Sequence, residues 1–122
     1  MPKETVIAVI DDDDSFRGSL VELLCSHAYG VRDFASADAF VATDKIDSYD
    51  CVITDVHMPG MSGIDLKRHL TAHDFRVPVI MITARSEPGL EERAVSSGAV
   101  CLLRKPFEPD ALIGCVEKAL GE

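Results

Sequence analysis

The chain has 122 residues, enough for one domain with its own core, and its 47% hydrophobic and 27% charged residues are ordinary for a globular protein. Its formal net charge of −9 excludes wrapping nucleic acid or settling on an anionic membrane by itself. No apolar h-region opens the chain and no apolar run is long enough to span a bilayer, so a cytoplasmic location is expected.

Val6-Ile7-Ala8-Val9-Ile10 is a continuous apolar run rich in β-branched residues, the pattern of a strand buried on both faces. The acid run Asp11-Asp12-Asp13-Asp14 follows at once. Phe16, Leu20, Leu23 and Leu24 then fall at i, i+4, i+7 and i+8, one face of a helix. Gly30 interrupts, and residues 31–34 make a weaker, more polar strand expected at a sheet edge. Ser36 is placed to cap a short helix carrying Ala37, Phe40 and Val41. A polar connection, residues 44–50, leads to Cys51-Val52-Ile53-Thr54-Asp55, a central strand that delivers one carboxylate before the breaker Met58-Pro59-Gly60.

Ser62-Gly63-Ile64-Asp65 has the form of a capping box and opens a helix with Ile64, Leu66 and Leu70. Residues 77–83 are the longest apolar run and another buried strand, with Pro78 near its start, where a missing N–H is tolerable. Leu90, Ala94 and Val95 mark a helix that Gly98 terminates, and residues 100–103 form the last strand. Pro109 is suited to the first position of a final helix striped with Leu112, Cys115, Val116, Ala119 and Leu120. The four cysteines, Cys25, Cys51, Cys101 and Cys115, include no C-x-x-C pair and sit in apolar runs, so they read as small buried hydrophobes rather than a redox or zinc site. His69 and His73 lie four apart on a predicted helix but have no evident third ligand for a zinc ion.

Strands alternating with helices imply βαβ units and a parallel sheet covered on both faces. In such sheets ligands bind outside the carboxyl ends of the strands. Asp11 and Asp12 end the first strand, Asp55 the third and Thr83 the fourth, and Lys105 follows the fifth, so separate stretches bring polar groups to one edge. Crowded carboxylates cannot all ionise without a counter-charge, and an all-oxygen site suits Mg²⁺. For Asp13 and Asp14, capping of the first helix is the preferred reading; for Asp11 and Asp12 it is the metal. A carboxylate held beside a cation and a lysine can accept a phosphoryl group, giving an aspartyl phosphate, and the hydroxyl of Thr83 is placed to bond one of its oxygens.

Ile10-Asp11-Asp12, Asp55 with Met58-Pro59-Gly60, Thr83-Ala84 and Lys105-Pro106-Phe107 occur in an order and spacing that resembles the receiver domain of bacterial two-component response regulators, over essentially the whole chain. The wording around Gly98-Ala99-Val100 and Lys105-Pro106-Phe107-Glu108 is similar to the FixJ-like branch. The resemblance implies a single receiver domain over residues 1–122, an α/β, flavodoxin-like (βα)5 fold with a doubly wound five-stranded sheet in the order 2-1-3-4-5. It implies that Asp55 takes a phosphoryl group from a sensor histidine kinase, that Asp11, Asp12, Asp55 and the backbone carbonyl of His57 hold Mg²⁺, that Lys105 pairs with the phosphoryl group, and that the Lys105–Pro106 peptide is cis. It further implies a signalling domain rather than an enzyme, limited to its own phosphorylation and dephosphorylation. The expected partners are the kinase, a phosphorylation-dependent homodimer and an output domain outside this chain.

Two features depart from the family's pattern. Leu102 stands where a switch aromatic is common, and His57 and Arg85 occupy variable positions two residues after Asp55 and Thr83. The fourth helix and fifth strand are expected to respond to phosphate through the loop after Thr83. An aspartyl-phosphate hydrolase of the haloacid dehalogenase kind is the enzyme alternative, but His57 stands where its second acid belongs and the chain has no room for a cap domain. A pseudo-receiver that is never phosphorylated is the other alternative, and the intact Asp55–Thr83–Lys105 set speaks against it.

Overall fold

Strand-forming and helix-forming runs alternate through the computed structural model, which describes residues 4–121. The strands are β1 (Val6–Ile10), β2 (Gly30–Phe34), β3 (Cys51–Asp55), β4 (Val79–Thr83) and β5 (Cys101–Arg104). The helices are α1 (Asp14–Ser26), α2 (Ala37–Val41), α3 (Gly63–Ala72), α4 (Leu90–Ser97) and α5 (Pro109–Ala119). All strand pairings are parallel and the sheet order is β2-β1-β3-β4-β5, the doubly wound arrangement expected from the sequence. Consecutive strands run to opposite sides of β1, so the crevice of the switch point opens between β1 and β3 at their carboxyl ends.

Alternation along the strands divides the core in two. Ala8, Ile10, Val52, Val79 and Met81 pack with Phe40, Leu66, Leu70, Leu90 and Ala94 on the α2–α4 side. Ile7, Val9, Ile53, Ile80 and Ile82 pack with Leu20, Leu24, Leu112 and Val116 on the α1–α5 side. Continuous apolar runs with opposite-facing neighbours are what a sheet buried on both faces requires. Asp13 caps α1 by accepting from the Phe16 N–H at 3.1 Å. Ser62 and Asp65 form a complete capping box, Asp65 N–H to Ser62 Oγ at 3.1 Å and Ser62 N–H to Asp65 Oδ2 at 3.3 Å. Gly98, at φ 96°, ends α4 in the left-handed conformation, and Pro109 opens α5. The Lys105–Pro106 peptide is cis.

The structure corrects the sequence in four places. The connection before β3 contains a 3-10 turn, Ile46–Ser48, that buries Ile46 and Tyr49; the Tyr49 ring packs on Phe40 at 5.5 Å between centroids. Val95 is 66% exposed on α4 rather than part of its apolar seam, because Leu90 and Ala94 already cover the sheet there. The fifth strand begins at Cys101, one residue later than expected, and Pro78 precedes β4 rather than lying in it. Finally, Cys25 is exposed, on the outer face of α1, and Cys101 and Cys115 are only half-buried. Cys51 does sit in the core, where burial pushes its thiol up to about 12; burial and a hydrogen bond with Cys101 do the same for Cys115. Such thiols stay protonated and inert at neutral pH. No helix among the described residues is long and apolar enough to cross a membrane.

Candidate functional site

The ends of β1, β3 and β4 and the loop that follows β5 meet at the switch point. Register explains how. Ile10 pairs with Thr54 and Asp55 with Ile82, so the residues that follow β1 and β3 leave the sheet at nearly the same level. Thr83 pairs with Arg104, and the Lys105 N–H donates to the Thr83 carbonyl at 2.8 Å, which carries the lysine to that level as well.

Asp11, Asp12 and Asp55 each offer a carboxylate oxygen within 4.8 Å of the others, the one such acidic group among the described residues. Asp11 is 1% exposed and Asp55 is buried, while Asp12 faces solvent. Desolvation by burial raises the pKa of Asp11 from its ordinary 3.8, and the neighbouring Asp55 charge adds to the rise; the Asp13 N–H, at 2.9 Å from Asp11 Oδ1, and Lys105 oppose it. A buried acid beside another acid is poorly stabilised as an anion by the protein alone, which is the condition a bound divalent cation relieves. The donor set is all oxygen and partly open to solvent, and it fits a hard cation that keeps some of its water, as Mg²⁺ does.

The lysine stands over the acids. Lys105 Nζ lies 3.5 Å from Asp11 Oδ2 and 3.7 Å from Asp55 Oδ2, with its side chain 19% exposed. It also sits 3.8 Å from the centroid of the Phe16 ring, whose edge-on contact with Phe107 is 6.2 Å between centroids. Phe16 was legible only as a member of the α1 stripe; its second role, a π face under the ammonium, depends on a partner 89 residues away and leaves no local signal.

The other flank of Asp55 is built from hydrogen bonds. The His57 N–H donates to Asp55 Oδ1 at 3.2 Å. The His57 ring lies between Thr83, with Nδ1 at 3.3 Å from Oγ1, and Glu87, with Nε2 at 2.8 Å from Oε1. Thr83 Oγ1 also accepts from the Arg85 N–H at 3.0 Å. Glu87 in turn pairs with Arg93 at 3.3 Å and lies 3.9 Å from Arg85. A cleft of about 690 Å³ opens beside this flank, lined by His57, Arg68, Arg85, Glu87 and Arg93 among others.

Asp11, Asp12, Asp55, His57, Thr83 and Lys105, the residues assigned to the site from the sequence, all lie at this edge. Three supporting residues were not singled out. Arg17 donates to the Asp11 carbonyl at 2.7 Å and to Asp33 at 2.9 Å, fixing the turn after β1; the Asp33 bond raises its own pKa. Gly63 lets α3 start against the back of Asp55, since a Cβ there would collide with the Asp55 carbonyl oxygen. Glu87 is the third. His69 and His73 stack at 4.2 Å between ring centroids, and the His73 Nδ1 lies 2.9 Å from the His69 carbonyl, so this pair is engaged with itself.

Residues 7–117 match the family described as the response regulator receiver domain. The chain belongs to the response regulator receiver family. Within it the chain falls in the FixJ-like branch. It is 39% identical over 121 residues to the transcriptional regulatory protein FixJ of Azorhizobium caulinodans, covering 99% of this chain and 57% of that protein. Its identity to FixJ of Bradyrhizobium diazoefficiens is 40% over 116 residues, covering 95% of this chain and 57% of that protein. The receiver thus spans little more than half the length of these relatives. The crystal structure of FixJ-N superposes with a TM-score of 0.88 at 30% identity, covering 99% of this chain and 97% of that one. The response regulator StyR superposes at 0.89 with 37% identity, covering 98% and 60%.

Proposed function

We propose that this chain is one receiver domain that is phosphorylated on Asp55 by a sensor histidine kinase and signals through the change that follows. The observation that carries the reading is the convergence of Asp11, Asp12 and Asp55 within 4.8 Å, with Lys105 at 3.5 and 3.7 Å from two of them. A carboxylate oxygen of Asp55 attacks the phosphorus of a phosphohistidine, the phosphorus–nitrogen bond breaks, and its electron pair goes to the departing imidazole nitrogen, which takes a proton from solvent. Asp11, Asp12, Asp55 and the His57 carbonyl would hold Mg²⁺, which when bound screens the negative charge of the transferring group. Lys105 supplies a second positive charge, held in place by Asp11 and the Phe16 ring. The hydroxyl of Thr83 receives the phosphoryl group by donating to one of its oxygens. The chain acts in the cytoplasm, where such kinases present their phosphohistidine, and it is a signalling domain whose only chemistry is its own phosphorylation and dephosphorylation.

The FixJ relatives carry the description of transcriptional regulators and are longer than the matched stretch. We therefore propose an output domain acting on transcription as the element this receiver controls, with a phosphorylation-dependent homodimer as the intermediate. The α4–β5 face offers the exposed Val95 beside a groove lined by Leu102, Ser96 and Arg104. The test is intact mass after incubation with acetyl phosphate and Mg²⁺. The wild-type chain gains one phosphoryl group; Asp55→Asn gains none. An equal gain in that variant places the acceptor elsewhere.

A further inference from the structure

The hydroxyl of Thr83 has one proton. In the unphosphorylated chain its neighbours are His57 Nδ1 at 3.3 Å, the Arg85 carbonyl at 3.3 Å and the Arg85 N–H, which donates to it at 3.0 Å. The other ring nitrogen of His57 faces the carboxylate of Glu87 at 2.8 Å. A carboxylate only accepts, so Nε2 carries a proton, and in the neutral ring Nδ1 is left as an acceptor aimed at Thr83. The chain Thr83–His57–Glu87 is satisfied from end to end when the Thr83 proton goes to Nδ1, for which the Arg85 carbonyl at the same 3.3 Å is the rival acceptor. It runs from the end of β4 across the residue two past Asp55 and back into the loop between β4 and α4. Glu87 then ties that loop to α4 through Arg93 at 3.3 Å.

We propose that His57 and Glu87 form a latch that holds the Thr83 hydroxyl and the β4–α4 loop in the unphosphorylated arrangement, and that phosphorylation opens it by taking the Thr83 proton. The inference rests on the reading of Asp55 as phospho-acceptor and adds the residues that the switch works against. A hydroxyl that donates to a phosphoryl oxygen cannot also donate to Nδ1, so the two bonds exclude one another. Loss of the Thr83 bond frees one side of the imidazole and slackens the side-chain contact by which His57 and Glu87 reach the end of β4. The bonds of Glu87 are weak because they lie near solvent, and the Thr83–His57 bond is long at 3.3 Å, which suits a device that must open. Leu102, partly buried against the α2–α4 side, provides no ring to swing, so the latch gives this chain another way to couple the strand end to α4. His57 acts here as a positioning residue through its side chain.

Amide hydrogen exchange and beryllium fluoride titration of the full chain test it. Without phosphate or its mimic, His57→Ala and Glu87→Ala each speed exchange in residues 84–93 by roughly fivefold, the size of one lost hydrogen bond. Glu87→Gln, whose amide oxygen still accepts from Nε2–H, stays within about twofold of wild type, an outcome that simple removal of surface charge would not give. The double variant His57→Ala/Glu87→Ala exchanges no faster than Glu87→Ala alone, which loses the Arg93 contact as well as the His57 one, since His57 acts on the loop only through that chain. Beryllium fluoride in the presence of Mg²⁺, followed by amide resonances, binds the two alanine variants roughly fivefold more tightly than wild type because the latch no longer competes. Exchange at the wild-type rate in both single variants, or additive effects in the double variant, overturns the latch. Tightening absent in variants that do exchange faster overturns its coupling to phosphate. A wild-type chain that binds no beryllium fluoride overturns the phospho-acceptor reading instead, and the exchange arm still judges the contact.

Discussion

On one side of Asp55 the partners are an acid, a lysine and an aromatic ring; on the other they are an imidazole, a hydroxyl and a loop carboxylate. The first wall comes from the ends of regular elements, β1, α1 and β5, and its charges are largely out of water: Asp11 is 1% exposed and the Lys105 side chain 19%. The second has only Thr83 buried, at the end of β4; its other members come from loops and reach solvent, with the Glu87 side chain 35% exposed and that of the adjoining Arg85 66%. Coulombic interactions are strong and poorly screened in the first setting and weak in the second. The difference assigns the walls different work under the proposed function. The charged wall fixes what the site holds, a cation and a phosphoryl group. The hydrogen-bonded wall is cheap to rearrange, so it is the one that can report occupancy to α4.

Both walls depend on where β3 puts Asp55, and the backbone behind it gives the largest expected effect. Gly63 approaches the Asp55 carbonyl too closely for any Cβ, and the obstacle is backbone, which has no rotamer to yield. Gly63→Ala should lower stability by about 3 kcal/mol, the upper range for overpacking. That corresponds to roughly 10 °C in melting temperature for a domain of this size. Gly18 in α1 is the contrast, with nothing within 4 Å of an added methyl, so Gly18→Ala should raise stability by up to about 1 kcal/mol. If both variants melt alike, the packing of α3 against Asp55 is looser than its geometry indicates.

The charged wall is probed next. Mg²⁺ at about a hundred times its dissociation constant should stabilise the chain by about 2.7 kcal/mol, and Asp12→Ala should lose most of that rise. Asp11→Asn should lose it too, while changing the metal-free chain in the opposite sense. The folded state raises the Asp11 pKa above 3.8, so it binds that proton more tightly than the unfolded state. Stability therefore falls as pH climbs from about 3.8 to the raised value, and the deficit persists above it. The melting-temperature difference between Asp11→Asn and wild type, measured without Mg²⁺, should be flat below pH 3.8, grow in favour of the variant through that window, and level off. Saturating Mg²⁺ at neutral pH should reverse its sign. A difference independent of both pH and metal would mean that the acid is already balanced by Lys105.

The sequence made the charged wall plain and the other wall partly so. Asp11, Asp55 and Lys105 follow strands whose continuous apolar runs announce them, and the Met58-Pro59-Gly60 breaker marks where β3 must stop. Thr83 was legible for the same reason. Glu87 was not, because its meaning comes from an imidazole 30 residues earlier, brought near only by the parallel crossover from β3 to β4. Ile46 and Tyr49 were hidden by their polar neighbours, since two apolar residues three apart in a short connection show neither strand nor helix period over enough length. Val95 and Cys25 erred the other way. An apolar residue on a helix adjoining the stripe reads as core, and only the position of the sheet shows that the seam is already filled. Periodicity thus located the elements, and contacts between loops had to come from the structure.

The smallest predicted effect separates the two walls most cleanly. Lys105 Nζ lies 3.8 Å from the Phe16 centroid, with only part of its side chain in water. A cation over a ring at such a site is worth about 0.5–1 kcal/mol, and the Asp11 and Asp55 contacts contribute separately. A double-mutant cycle of Phe16→Leu with Lys105→Met isolates that term: the lost Phe16–Phe107 edge contact and the lost ion pairs each appear in both legs and cancel. Denaturant unfolding should give a coupling of about 0.5–1 kcal/mol for this pair. The cycle of Phe16→Leu with His57→Ala crosses from one wall to the other and should be additive within about 0.3–0.5 kcal/mol. Coupling in the first cycle and none in the second is what two independently built walls predict. Equal coupling in both would mean that Asp55 transmits strain between them, and the lysine's wall could then no longer be treated as a fixed frame around which the histidine's wall moves.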